Sequence, residues 1–393
     1  MHDRQNPSTG RYALLAAAAP YTNGGQGCNI LTWHWLKAVG GSCTVVICDL
    51  SSPAEAHRQR SVTLGYLGLR GRKFAQLLPK HFHCGDALTA YAAGVVHRRK
   101  LRREGVACIF CFAGAEWRFL VQSQAYANGA RLPFDIYLVD DFEESEPCAG
   151  ASLIAHIRRT EKAVLLSARR VFTISQGYSE HIWNKYNVRS LHLPICFDTR
   201  EFRASGAEVR ELVFFGSVNR LYQDALEEVV EVLRDVNAFG MVKYVLRLIT
   251  KSALTNRLKE GRSQGLVLAN EARTRGEIEQ LASNAWACLL PYSFSPQQRT
   301  MVSTSFPTKL TECAAIGRPI VVYGPPYCST ARHARSNGWC WIAQSKHELA
   351  ELLMKATEKD AHEEWRRQSF SHRVCNSANS VRRALGLMNA GEG

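Results

Sequence analysis

An α/β fold in two domains is what this sequence predicts, and three observations carry that expectation. The first is length. A chain of 393 residues exceeds what one hydrophobic core usually supports, so two cores facing a central cleft are expected. The second is alternation: apolar runs at Tyr12–Pro20, Ser42–Asp49, Ala107–Ala113, Phe134–Val139 and Val171–Ser175 read as strands, and helical spacing separates several of them, the layout of a largely parallel sheet. The third is that the pattern restarts. Periodicity fades over Ile195–Glu211 into a polar, glycine-containing linker, and a second α/β unit begins at Leu212.

Within the first unit, Gly24-Gly25-Gln26-Gly27 follows the first strand and precedes Cys28–Val39, where Ile30, Leu31, Trp33, Leu36 and Val39 keep a helical spacing. Strand, glycine turn and helix make a Rossmann-like opening, in which Gly25 and Gly27 let backbone amides approach a ligand; a plain strand-to-helix turn is the alternative. The apolar run after Arg11 is short and runs into this loop, so a first strand is expected there rather than a secretory signal. Asp140 and Asp141 close the strand Phe134–Val139, and the pair reads either as site carboxylates or as a helix cap or solvated turn.

The second unit reads as a strand at Leu212–Phe215, a helix at Asp224–Leu233 with Leu226, Val229, Val230 and Leu233 on one face, and a strand at Tyr244–Ile249. Glu277–Ala285 repeats the helical spacing, and Trp286–Leu290 follows as a strand. From Lys346 onward the chain reads as charged amphipathic helices. The expected domains are therefore 1–200 and 208–365, with a helical segment at 366–393 packing back on the first.

Apolar residues at 46% and charged residues at 21% match a globular protein, and no run approaches the roughly 20 apolar residues needed to span a bilayer. The thirteen cysteines are odd in number and scattered, several within apolar runs, which fits a reducing, cytoplasmic setting. Cys108 and Cys111 have C-x-x-C spacing but lie inside Val106–Ala113 with no second pair at zinc-ribbon distance, so buried thiols are expected and no metal. A net charge of +14 calls for an anionic partner. Basic residues at Arg70, Arg72, Lys73, Lys80, Arg98, Arg99, Lys100, Arg102 and Arg103 interleave with apolar ones, a pattern closer to an anionic membrane surface than to a nucleic-acid tail. A solvated basic face is the alternative. No nucleic-acid-binding signature is present, so nucleic acid is not an expected partner.

The richest segment runs from Ser305 to Pro319. Pro307 suits a first helical turn, and Gly317 with Pro319 ends the helix before the strand Ile320–Tyr323. Amides near Thr308 together with Lys309 suit a phosphate, and Glu312, one turn on, is placed to accept hydrogen bonds from ribose hydroxyls. An ordinary crossover helix carrying a surface Lys and Glu is the alternative reading.

Two consecutive Rossmann-like halves, the glycine loop and Ser305–Pro319 together resemble the GT-B fold glycosyltransferases, specifically the family 4-like group, over most of the chain. Val171–Ser175 with the following Gln176–Ile182, then Leu193–Asp198, Leu289–Tyr292 and Ser305–Pro319 carry the likeness. The resemblance implies transfer of a sugar from a nucleotide diphosphate donor, held by the second domain, to an acceptor held by the first. It implies no metal and no cofactor, since the nucleotide sugar is a substrate, and it favours retention at the transferred carbon. Thr308 and Lys309 would serve the phosphates, Glu312 the ribose, Gly25 and Gly27 the donor's close approach, and Asp140 or, preferably, Asp141 the acceptor. Apart from the resemblance, the basic, apolar-interleaved segment Arg70–Arg103 suggests an acceptor that is lipid-linked or a growing polysaccharide, and an enzyme that is cytoplasmic and peripheral at the inner membrane face. Three positions depart from the pattern: Ile195 and Cys196 stand where an Asn-Gly pair is common, Thr304 stands eight positions before Glu312 where an acid is common, and Gly216-Ser217-Val218-Asn219-Arg220 replaces the usual Arg and Lys. Arg220 and Arg299 are the substitute cations. These departures keep a second reading, a GT-B shaped protein that binds a nucleotide sugar without catalysis.

Overall fold

The computed structural model describes residues 11–16, 27–49, 62–66, 84–113, 117–144, 146, 149–197, 199, 201–202, 209–240, 242–272, 274–282, 285–306 and 308–387. The chain divides into two compact units, one running to Cys196 and resuming at Ala378, the other Phe197–Ser377.

In unit 1 the order is β1 (Arg11–Ala16), α1 (Gly27–Val39), β2 (Cys43–Asp49), β3 (Val62–Tyr66), α2 (Cys84–Arg103), β4 (Val106–Ala113), α3 (Trp117–Ala130), β5 (Phe134–Leu138), α4 (Ala151–Ser167), β6 (Arg170–Thr173), α5 (Gln176–Tyr186) and β7 (Leu191–His192). Described strands form one parallel sheet in the order β3-β2-β1-β4-β5-β6-β7. The pairings β1 with β2 and β1 with β4 are both parallel, which makes β1 central. Central parallel strands are covered on both faces and read as unbroken apolar runs, and Ala13, Leu14, Leu15, Ile109, Phe110 and Cys111 are all buried accordingly. The run after Arg11 is thus the middle of a sheet. Cys108 and Cys111 are buried free thiols, as their apolar setting predicted.

The N-terminal ends of these strands are pinned by charge. Asp135 on β5 is fully buried and takes bidentate hydrogen bonds from Arg169 at 2.8 and 2.6 Å, and further ones from Arg170 at 3.1 and 2.7 Å. Arg170 also donates to the carbonyl of Leu385 at 3.0 Å and to the hydroxyl of Tyr12. One buried carboxylate therefore joins β1, β5 and β6 to the end of α14 (Ala378–Ala384), the helix with which the chain returns to unit 1.

In unit 2 the order is β8 (Val209–Phe215), α6 (Gln223–Phe239), β9 (Lys243–Ile249), α7 (Asn256–Ser263), β10 (Val267–Asn270), α8 (Arg275–Leu281), β11 (Ala285–Pro291), α9 (Arg299–Thr304), α10 (Lys309–Ile316), β12 (Ile320–Tyr323), α11 (Ser329–Ser336), β13 (Ile342–Ala343), α12 (Lys346–Lys355) and α13 (Glu358–Cys375). Its sheet order is β10-β9-β8-β11-β12-β13, the same winding as unit 1. Leu226, Val229, Val230 and Leu233, the expected helix face, are all buried in the core with Phe214, Leu246 and Trp286. Gly317 takes the left-handed conformation at φ 77° and stops α10 where expected.

Three boundaries in unit 2 differ from expectation by more than two residues, the first being α6, which runs past the expected Leu233 to Phe239. The helix expected to reach Ala285 ends at Leu281, and Ala285 opens β11 opposite Glu211; small apolar residues satisfy both periodicities, and burial within the sheet decides. The expected linker to Glu211 ends earlier, because β8 starts at Val209. Its charged residues hid the strand: Glu211 pairs in the sheet through a bidentate bond from Arg247 at 2.6 and 2.5 Å. No described helix is long and apolar enough to cross a membrane.

Candidate functional site

In open parallel sheets ligands bind beyond the C-terminal strand ends, where the strand order reverses. In unit 2 that point lies between β8 and β11. β8 ends in Phe215 and then Gly216, whose φ of +108° is open to glycine but strained for other residues. Asn219 folds the following turn by accepting the Leu221 amide on its side chain at 3.1 Å, and α6 starts just beyond. Asp224 in its first turn accepts from the Ser293 hydroxyl at 2.7 Å and the Phe294 amide at 3.1 Å, tying the exit of β11 to α6. The two strand ends that define the crevice are thereby held together.

Lys309, the first residue of α10, enters this crevice. A Cβ at position 216 would lie 2.6 Å from Lys309 Cε, so any other residue there would push the lysine tip aside, besides taking a strained φ. The ammonium sits 3.6 Å from the ring centre of Tyr222 and 4.7 Å from that of Phe214. Burial lowers its pKa from 10.5 to about 7, against the opposing pull of Glu312 and Cys313. The amine therefore lies between two aromatic rings, half-buried and with its charged form only partly compensated, and an incoming anion would favour the ammonium. Gly216→Ala adds a methyl to this space and a strained φ; the expected loss is about 1–3 kcal/mol of stability together with weaker anion binding, read by urea unfolding and by titration with inorganic pyrophosphate.

Thr308 is the N-cap residue of α10 and Glu312 lies in its first turn, so both stand beside Lys309 at one helix end. Arg220 is exposed on the turn after Gly216. Arg299 is exposed at the start of α9, with its guanidinium 4.5 Å over the ring of Tyr327. Thr304 is buried, and its hydroxyl bonds back to the Thr300 carbonyl at 2.9 Å, so this position serves helix α9. Gly25 and Pro307 lie outside the described residues, and Gly27 is the first residue of α1. Tyr222 and Asp224 were not expected at the site, and Gly216 was noted only as a departure from the family pattern; a glycine directly after the first strand of the unit was the available signal.

At the C-terminal strand edge of unit 1 the two aspartates differ. Burial, reinforced by the neighbouring Asp141 charge, raises the Asp140 carboxyl. Burial pushes Asp141 the same way, but hydrogen bonds from His181 and the Glu144 amide, with the charges of Lys185 and His181, outweigh it and hold the carboxyl well below its usual range. Asp141 Oδ1 accepts the Glu143 and Glu144 amides at 2.9 and 3.2 Å, while Oδ2 meets His181 Nε2 at 2.9 Å and Lys185 Nζ at 3.2 Å. Lys185 also pairs with Glu143 at 2.7 Å and with buried Glu161 at 3.5 Å, and Tyr186 bonds to Glu161. His181 and Lys185 escaped sequence reasoning because α5 residues meet β5 only through the fold. A depressed carboxyl stabilises the fold above its unfolded value of 3.8 and loses that contribution as pH falls below it. Asp141→Asn should flatten the acid limb of the unfolding curve below about pH 4, measured by circular dichroism against pH.

Among the described residues no group of three or more His, Cys, Asp or Glu is arranged to hold a metal. A surface groove lined by Glu363, Arg366, Arg367, Phe370 and Arg373 lies along α13. That helix binds the N-terminal end of β12 through Gln368, which bonds to the amide and carbonyl of Ile320 at 2.8 and 2.9 Å, so the groove is at the edge of the sheet opposite the ligand-binding one.

No family model and no curated protein sequence matches the chain. Solved structures do. A sucrose-phosphate synthase from Thermosynechococcus elongatus superposes with a TM-score of 0.61 over 96% of this chain and 97% of its own, at 12% identity. TarM superposes at 0.60 over 97% and 99%, at 8% identity. A UDP-forming α,α-trehalose-phosphate synthase from Burkholderia xenovorans, solved with glucose-6-phosphate, superposes at 0.55 over 96% and 99%, at 13% identity. Likeness at this level of identity is a likeness of fold: two Rossmann-like units, the GT-B architecture.

Proposed function

We propose that the protein is a glycosyltransferase of the family 4-like group, which moves a sugar from a nucleotide diphosphate to an acceptor without a metal ion and with retention. The observation that carries this reading is the meeting of Lys309 with Gly216 at the switch point of unit 2, in a chain that superposes on a sucrose-phosphate synthase over 96% of its length. Cleavage of the donor leaves negative charge on the diphosphate, and a pre-placed cation with helix amides is the metal-free means of stabilising it. Lys309 and the α10 amides near Thr308 take that role, Glu312 binds the ribose, Gly216 with Gly25 and Gly27 allows backbone approach, and Arg220 and Arg299 add positive charge. In unit 1 the raised carboxyl of Asp140 is the better group to orient or deprotonate an acceptor hydroxyl, and Asp141 acts by holding His181 and Lys185. The acceptor is a growing glycan or a lipid-linked sugar, and the setting is the cytoplasm.

A thermal-shift screen against UDP-, GDP-, ADP- and dTDP-sugars tests the donor half, with UDP first because a neighbour in fold is UDP-forming. The expected result is a raised Tm with one nucleotide class, lost in Glu312→Ala. Donor hydrolysis by the same protein distinguishes an enzyme from a GT-B shaped binding protein, which binds and turns over nothing. No shift with any of the four overturns the donor assignment.

A further inference from the structure

The outer face of α2 is unlike any other described helix surface of unit 1. Its inner face is fixed by two glycines: a Cβ at Gly94 would lie 2.2 Å from the Tyr126 carbonyl, and one at Gly129 would lie 2.1 Å from the Tyr91 carbonyl. Backbones of α2 and α3 therefore touch, and His97 Nδ1 to Tyr126 hydroxyl at 2.9 Å secures the same contact. Ala90, Ala93 and Leu101 fill the rest of the seam. This packing leaves no freedom in which side of α2 looks outward.

What looks outward is apolar first and cationic next. Leu88 is 68% exposed, Tyr91 49%, Val95 50% and Val96 68%. Residues 88, 92, 95, 99, 102 and 103 follow the three-and-four spacing of one helix face, so Arg99, Arg102 and Arg103 prolong the stripe that Leu88 and Val95 begin. Arg99, Lys100, Arg102 and Arg103 are exposed, and the chain has no acidic residue between Asp86 and Glu104. Desolvation, then the charges of Arg102 and Arg131, lower the pKa of Arg98 from its ordinary value against the opposing effect of Tyr91, as expected of cations crowded together. Four large apolar side chains in one exposed stripe mark a docking face, and the unbroken positive charge beside them is complementary to an anionic surface.

We propose that this face of α2 docks on an anionic lipid surface, with Leu88, Tyr91, Val95 and Val96 entering the headgroup boundary and Arg99, Lys100, Arg102 and Arg103 meeting lipid phosphates. The charge sign, the apolar stripe and the fixed orientation match an interfacial amphipathic helix. Docking does not depend on sugar transfer, and its test makes no use of activity.

The test is flotation of the full chain with phosphatidylcholine vesicles, with and without phosphatidylglycerol. Wild type is expected to float only with the anionic vesicles and to be released by salt. Each cation near an anionic surface contributes about fivefold, so Arg99→Gln with Arg102→Gln and Arg103→Gln predicts roughly a hundredfold loss of partitioning. Leu88→Ser with Val95→Ser and Val96→Ser is expected to weaken binding at least about tenfold while leaving the unfolding midpoint unchanged, because these side chains are already exposed. Absence of flotation with phosphatidylglycerol vesicles overturns the proposal. So does binding that both variants retain, or a wild-type dimer by light scattering that the serine variant converts to monomer, which would make the face a contact between copies of this chain.

Discussion

Lys309→Met is expected, on the proposed glycosyltransferase reading, to reduce transfer or donor hydrolysis by about 10²–10³-fold while leaving the fold intact. Methionine keeps the unbranched stem that passes under Gly216 and packs on Phe214 and Tyr222, so the change removes charge and little else. The effect should be large because the amine is held half-buried between Phe214 and Tyr222, and a diphosphate would add the negative charge that Glu312 alone does not supply. Its pKa near 7 gives the prediction a second, independent readout. Between about 7 and the unfolded value of 10.5 the unfolded chain holds a proton that the folded chain has lost, so stability of the free protein rises with pH across that window. The slope is at most about 1.4 kcal/mol per pH unit, and Lys309→Met should lack it. A bound diphosphate reverses the balance by favouring the ammonium. Binding then takes up a proton above pH 7, and affinity falls by up to about tenfold per unit, which calorimetry in buffers of different ionisation enthalpy detects. Unchanged UDP affinity in the methionine variant would remove Lys309 from the phosphate site.

The contrast between Lys309 and Asp141 indicates what a sequence of this kind makes legible. Local signals were legible: Gly317 stops α10, Ile320–Tyr323 is a strand, and the parallel character of both sheets follows from alternation, whereas their strand orders and the short strands β3, β7, β10 and β13 do not. Asp140 and Asp141 were found because a carboxylate pair after a strand is a local pattern. Their division of labour was not, since it depends on His181 and Lys185, which arrive from another element with α5 and charge only one member of the pair. Gly216 was visible merely as a departure from a family pattern; its meaning comes from the lysine that fills the space a side chain would take. The strand start at Val209 was hidden because its charged residues pair within the sheet, and the α2 face was hidden because interleaved arginine and valine do not reveal which side is covered until Gly94 and Gly129 fix it.

Asp135→Ala is expected to be the most damaging single change to stability, costing about 3–5 kcal/mol in urea unfolding followed by tryptophan fluorescence. The carboxylate has no exposed surface, while its two partners, Arg169 and Arg170, keep 33% and 20% of their side chains exposed. Removing it leaves two guanidinium groups partly buried with no carboxylate between them, and deletes the common acceptor that joins β5 to the start of β6. Arg170 would still reach the Leu385 carbonyl and the Tyr12 hydroxyl, so the loss should fall on the strand ends first and on the seating of α14 next. Amide exchange near β6 and α14 should therefore accelerate more than exchange in unit 2, whose core of Leu212, Phe214, Leu246 and Trp286 shares no residue with this cluster. Replacing all three ionic groups with apolar residues should recover much of the stability, because desolvation offsets most of what a buried ion cluster gains. Equal destabilisation by the single and the triple variant would mean that the cluster's hydrogen bonds, rather than the unpaired charge, hold the N-terminal edge of this sheet.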